Sequence, residues 1–171
     1  MARGITIWMT GLSGAGKSTI SDAVAKSLSD QNIKYVQLDG DLLRNGLCRD
    51  LGFDPESRGE NIRRVAEISK LLNGFGIPVL VSLISPMRYD RERAKDIIGE
   101  DKFVEVYVST SLQECEKRDV KGLYAKARKG IIPQFTGVSA PYEPPDNPNL
   151  SLNTSVMSLE EEVNMVMEAL Q

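Results

Sequence analysis

The sequence predicts a single α/β domain, residues 1–171, with a parallel, doubly wound sheet carrying helices on both faces. Three observations lead there. Strand-like apolar runs alternate with stretches of helical periodicity. One run, Ile77 to Ile84, is apolar almost without interruption, as suits a central parallel strand covered on both sides. A glycine-rich turn stands between the first strand and the first helix. At 171 residues the chain is long enough to bury a core of its own, and it shows no repeat or dividing linker.

The elements follow in order. Ile5 to Thr10 is apolar and β-branched, a strand ending in Gly11. From Lys17 to about Gln31, the apolar residues Ile20, Ala23, Val24 and Leu28 recur at helical spacing. Lys34 to Leu38 reads as a short strand closing on Asp39-Gly40-Asp41. Glu60 to Asn73 reads as a helix stopped by Gly74 and Gly76. After the central strand, Arg88 to Ile98 is helical and Phe103 to Val108 is a strand. A short helix runs from Ser111 to about Arg118, and a basic stretch covers Lys121 to Lys129. A Pro- and Gly-rich loop spans Gly130 to Pro148. Leu150 to Asn153 is a last strand, and Ser158 caps a closing helix with Glu161 as its capping-box partner.

Charge and composition remove several function classes. A net charge of −3 offers no global basic field for nucleic acid or an anionic membrane, so any anion must be captured locally. No apolar run reaches membrane-spanning length, and Met1 to Ile5 lead straight into a strand without room for a signal peptide. Cys48 and Cys115 form no metal or disulfide pattern, which fits reduced thiols in the cytoplasm. Histidine is absent, so any general base has to be a carboxylate.

Gly11-Leu12-Ser13-Gly14-Ala15-Gly16-Lys17-Ser18 matches G-x-x-x-x-G-K-[ST] in full, with Thr19 beside it. Glycines let the backbone turn several N–H groups toward a phosphate, and the following helix aims its positive dipole end at the same point. Lys17 is placed for the β- and γ-phosphates of ATP and the Ser18 hydroxyl for Mg²⁺. The expected fold is therefore P-loop NTPase-like. Asp39-Gly40-Asp41 falls at the carboxyl edge of the same sheet, where open α/β sheets bind ligands. With no histidine available, Asp39 is read as the base for an acceptor hydroxyl and Asp41 as a metal-shell or acceptor contact. Arg44, Arg49, Arg58, Arg63 and Arg64 cluster just beyond, and the arginine fork suits phosphate and sulfate oxygens. About half are expected to meet a ligand and the rest to pair with Asp50, Asp54, Glu56 and Glu60.

From about Ile5 to Asn149 the chain closely resembles the adenylylsulfate kinase family. The matching pieces are the Gly11 to Thr19 loop, Leu38-Asp39-Gly40-Asp41 with Arg44, Gly46 and Leu47, Leu51-Gly52-Phe53, Arg58, and Glu60 to Arg64. Further matches are Ile84-Ser85-Pro86, Cys115 to Asp119, Lys121 to Tyr124, Phe135-Thr136-Gly137 and Pro141 to Pro145. The resemblance implies ATP-dependent phosphorylation of the 3′-hydroxyl of adenosine 5′-phosphosulfate in sulfate assimilation. It implies that Phe53 and Phe135 sandwich the acceptor adenine, and that Arg44, Arg58 and Asn61 hold its phosphosulfate and sugar. Asp39, Asp41, Ile84, Ser85, Lys121 and Leu123 are the further implied acceptor contacts, and Arg118 a donor contact. It also implies a lid over roughly residues 121–145, a stand-alone kinase and a homodimer. Ser85 matches a serine treated in the family as a phosphoserine intermediate. In-line transfer needs no covalent step, so Ser85 is read here as a hydroxyl that positions substrate or a metal-bound water.

Asn45, Leu83, Met87, Pro133, Gln134 and the Ser139-Ala140 pair depart from common family residues, several of them on the acceptor side. They leave open a relative acting on another nucleotide-like acceptor, such as a phosphoramidate-bearing nucleotide. A non-catalytic nucleotide sensor is the other alternative, disfavoured because Lys17, Ser18, Asp39 and Asp41 are all kept.

Overall fold

The computed structural model describes residues 3–171; Met1 and Ala2, part of the expected lead into the first strand, lie outside them. Five strands form one sheet: β1 (Thr6–Thr10), β2 (Val36–Asp39), β3 (Val79–Ser82), β4 (Phe103–Val108) and β5 (Leu150–Leu152), in the order β2-β3-β1-β4-β5. Every pairing is parallel. Seven α-helices complete the fold: α1 (Lys17–Asp30), α2 (Gly40–Asn45), α3 (Pro55–Gly74), α4 (Arg88–Ile98), α5 (Leu112–Arg118), α6 (Leu123–Arg128) and α7 (Leu159–Ala169).

The strand period of two divides the core between the two faces of the sheet. Ile7 and Met9 of β1, with Ile5 just before it, point to one face and meet Ile20, Val24 and Leu28 of α1, Val166 of α7 and Leu170 at its end. Trp8 points to the other face, with Ile62, Val65 and Ala66 of α3 and Ala94 and Ile98 of α4. β3 divides the same way, Leu80 against Val79 and Val81. Both faces are therefore dry, which explains the unbroken apolar run. The strand itself covers only Val79–Ser82, because Ile84 and Ser85 leave the ladder to meet Thr10.

Two helical starts differ from the sequence reading. α3 begins at Pro55, with the Asp54 side chain accepting from the Ser57 N–H and proline in the first turn, where its missing N–H costs nothing. α2 starts within the polar cluster Asp39-Gly40-Asp41, where the sequence shows no helical period; the Asp39 side chain accepts from the Asp41 N–H and caps it. Within the basic stretch, residues 123–128 form α6. The Ser158–Glu161 capping box forms as expected. Together these connections bring the carboxyl ends of β1, β2 and β3, with the loops that follow them, to one edge.

Candidate active site

The loop after β1 has the shape its glycines require. Gly14 and Gly16 sit at φ +76° and +115°, a region L side chains rarely adopt. A Cβ on Gly16 would stand 2.7 Å from Thr154 Cγ2. The first N–H groups of α1 have no intrahelical acceptor and face this loop, the arrangement that binds phosphate. Lys17 is buried, and its Nζ donates to Gly11 O and Leu12 O at 2.8 Å each. Burial brings its ammonium down to about 8, partly opposed by Cys115 and Asp39.

Next to this cradle, Ser18 Oγ donates to Asp39 Oδ2 at 3.0 Å, while Asp39 Oδ1 accepts from the Asp41 N–H at 2.9 Å. The two carboxyl oxygens are held by the two elements they join, so Asp39 is oriented before any substrate arrives. Ser18 and Asp39 make a hard-oxygen pair, suited to a magnesium ion that draws its other ligands from phosphate and water. No group of three His, Cys, Asp or Glu side chains among the described residues forms a dedicated metal cage. Asp41 pairs with Lys121, which ties α2 to the start of the 121–145 segment.

The arginine cluster separates into two groups. Arg63 and Arg64 bind Glu60, and Arg64 also forks onto Asp50; the two guanidiniums hold the Glu60 carboxyl down at about 2. Those two are structural, and Arg49 is exposed. Arg44 and Arg58 gather around Phe53 instead. Arg44 donates to Leu51 O and Gly52 O and lies 4.1 Å over the centre of the Phe53 ring, which is itself 62% exposed. Arg58 donates to Phe53 O at 2.6 Å, Thr136 Oγ1 at 2.7 Å and Gln134 O at 2.6 Å. One guanidinium therefore spans the two segments that carry Phe53 and Phe135. Phe135 is buried and meets Tyr124 edge-on at 5.0 Å. Asn61 is buried with Oδ1 lacking a hydrogen-bond partner, an acceptor kept available in the same region.

Other expected residues are placed differently from their simplest reading. Ser85 is 3% exposed, at φ +40°, and its hydroxyl accepts from Trp8 Nε1 at 3.1 Å. Thr10 Oγ1 and Arg91 Nη1 both donate to the Ser85 carbonyl. As placed, that hydroxyl is turned inward onto Trp8. Arg118 donates to Thr154 Oγ1 at 2.8 Å and lies against Gly14 O at 3.4 Å, beside the cradle. Leu123 is half-buried and packs against the core beside the α1 face of the sheet. Thr154 was missed in the sequence. It follows the last strand, touches Gly16, and donates to Ala15 O at 2.9 Å, a role that no local pattern announces.

A family model described as adenylylsulphate kinase matches residues 3–153. The chain belongs to the adenylylsulphate kinase family. Among family members, the adenylyl-sulfate kinase of Bacteroides fragilis is 55% identical over 97% of this chain and 82% of its own length. That of Bacteroides thetaiotaomicron is 56% identical over 96% of this chain and 82% of its own. The Mycobacterium tuberculosis APS kinase, solved in complex with AMPPNP and APS, superposes with a TM-score of 0.93 at 45% identity, covering 98% of each chain. Kinase family membership and the P-loop geometry thus agree on a phosphotransferase.

Proposed function

We propose that this protein transfers the γ-phosphoryl group of ATP to the 3′-hydroxyl of adenosine 5′-phosphosulfate. The observation that carries the reading is Asp39, hydrogen-bonded to the cradle's Ser18 on one oxygen and to α2 on the other. This carboxylate stands beside the phosphate loop and caps α2, the helix that carries Arg44. In the reaction the acceptor 3′-oxygen bonds to the γ-phosphorus as the bond to the β-phosphate bridging oxygen breaks. Asp39 takes the hydroxyl proton and ADP leaves. Lys17 follows the transferring group and neutralises charge spread over its equatorial oxygens. A magnesium ion, which the Ser18 hydroxyl would hold, would supply further charge neutralisation to the phosphates. Phe53 and Phe135 offer aromatic faces for the acceptor base, and Arg44 and Arg58 offer planar forks for its phosphosulfate.

The buried free thiols Cys48 and Cys115 fit a reducing cytoplasm, and no helix among the described residues is long and apolar enough to cross a membrane. The homodimer rests on the family resemblance and is checked by light scattering. The deciding assay is incubation with Mg·ATP and adenosine 5′-phosphosulfate, followed by chromatography for the 3′-phosphorylated product and ADP. The same assay offers a panel of other nucleotides, including phosphoramidates. Efficient phosphorylation of one of those, with adenosine 5′-phosphosulfate left untouched, would refute the assignment of the acceptor.

A further inference from the structure

Tyr124 is a buried side chain that the reaction chemistry does not use, yet it touches both halves of the site. Its hydroxyl donates to Ser13 O in the phosphate loop at 2.8 Å. Its ring stands edge-on to Phe135, centroids 5.0 Å apart and planes at 80°. The residue has little freedom to move otherwise. The Asp119 carboxylate accepts from the Tyr124 N–H at 2.9 Å and from the Ala125 N–H at 3.0 Å, fixing the start of α6 to the end of α5. Burial raises the phenol well above its usual range, so it stays a donor at every working pH.

The Phe135 segment is gripped on its other side by Arg58, through Gln134 O and Thr136 Oγ1. Two residues on, Gly137 sits so close to the phosphate loop that a Cβ there would be 3.2 Å from Leu12 Cδ2. The hydroxyl on Ser13 O and the ring against Phe135 thus form one continuous line of contacts from the phosphate loop to that ring. We infer that Tyr124 is a positioning residue that couples occupancy of the phosphate loop to the acceptor-binding ring. The inference rests on the function proposed above and adds the route by which its two substrates sense each other.

The test is calorimetric titration of adenosine 5′-phosphosulfate with and without saturating AMPPNP, on wild-type protein and on Tyr124→Phe. The ratio of the two dissociation constants is the coupling factor. Tyr124→Phe keeps the ring and loses one buried hydrogen bond, so the factor should move toward one by about fivefold. Each ligand measured alone should change by less than about twofold. Phe135→Leu, which removes the ring edge from the other side, should reduce the factor as well, and the double variant should reduce it no further. An unchanged factor in Tyr124→Phe, with or without a lower Tm, overturns the inference and leaves the hydroxyl to folding alone. A wild-type factor of one overturns it too, while the functional reading stands. Wild-type protein that binds neither ligand refutes the functional reading, and this inference with it.

Discussion

Burial lowers the Lys17 ammonium from 10.5 to about 8 by stripping water from the charge, although its hydrogen bonds to Gly11 O and Leu12 O favour the charged form. ATP capture depends on that charge, and the free protein loses it as pH climbs through 8. Phosphates bound beside Lys17 favour the charged form and return its titration to higher pH. The two kinetic parameters should therefore separate, since kcat/KM for ATP reports the free protein and kcat the complex. We expect kcat/KM for ATP to fall about tenfold for each pH unit above roughly 8, while kcat stays level to about pH 9.5. Stability moves the opposite way. Between about 8 and 10.5 the unfolded chain holds a proton on Lys17 that the native state has released, so this group adds stability as pH rises through that window. Below 8 the native state carries the desolvated charge. Relative to Lys17→Met, the wild-type protein should gain about 3 kcal/mol across the window, the equivalent of the lowered pKa. The assays are pH–rate profiles at limiting and saturating ATP, with urea unfolding of wild type and Lys17→Met at pH 7.5 and 10. A kcat/KM for ATP that stays flat from pH 7 to 9.5 would refute the reasoning, as would the same fall in Lys17→Arg, whose charge does not titrate there.

Three further outcomes are expected. Asp39→Asn keeps the shape and both hydrogen-bonded neighbours but loses the base, so kcat should fall on the order of 10²–10⁴-fold; intact kcat with weakened ATP binding would move Asp39 to the donor site. Arg58→Lys retains the charge and loses the fork that reaches Phe53 O, Thr136 Oγ1 and Gln134 O together. Losing two of those three bonds should cost about 2 kcal/mol in acceptor kcat/KM, roughly 30-fold, and an unchanged value would detach the 134–136 segment from acceptor binding. Phe53→Ala removes a ring that is mostly exposed, so Tm should hardly move while acceptor binding weakens by about 1–3 kcal/mol; a large drop in Tm with acceptor KM unchanged would make Phe53 a packing residue.

Local chemistry is written in the sequence wherever a few neighbouring residues suffice. The Gly11–Ser18 loop, the Ser158–Glu161 box, α4 over Arg88–Ile98 and β4 over Phe103–Val108 were all legible, because glycine sterics, capping hydrogen bonds and apolar period act within one or two turns. The start of α3 lies ahead of its apolar periodicity and shows in the sequence only as a capping aspartate, Asp54, before a first-turn proline, Pro55. α2 was hidden because Asp39 and Asp41 look like a solvent-facing acidic turn until the Asp39 carboxylate is seen capping the helix. Motif matching named Ser85, but its meaning depends on Trp8, which lies 77 positions away in sequence.

The residue types were thus determined by the sequence alone: a phosphate loop, a carboxylate in a chain without histidine, and a cluster of five arginines just beyond it. Partnership was decided only by the tertiary structure. That Lys121 closes on Asp41, that Thr154 backs Gly16 and that Tyr124 reaches Ser13 are pairings over long sequence separations. Each depends on the β2-β3-β1-β4-β5 order, which brings the ends of distant strands to one edge. Hydrogen bonds and ring contacts act over a few ångströms, and only the folded sheet sets which distant residues come within that reach.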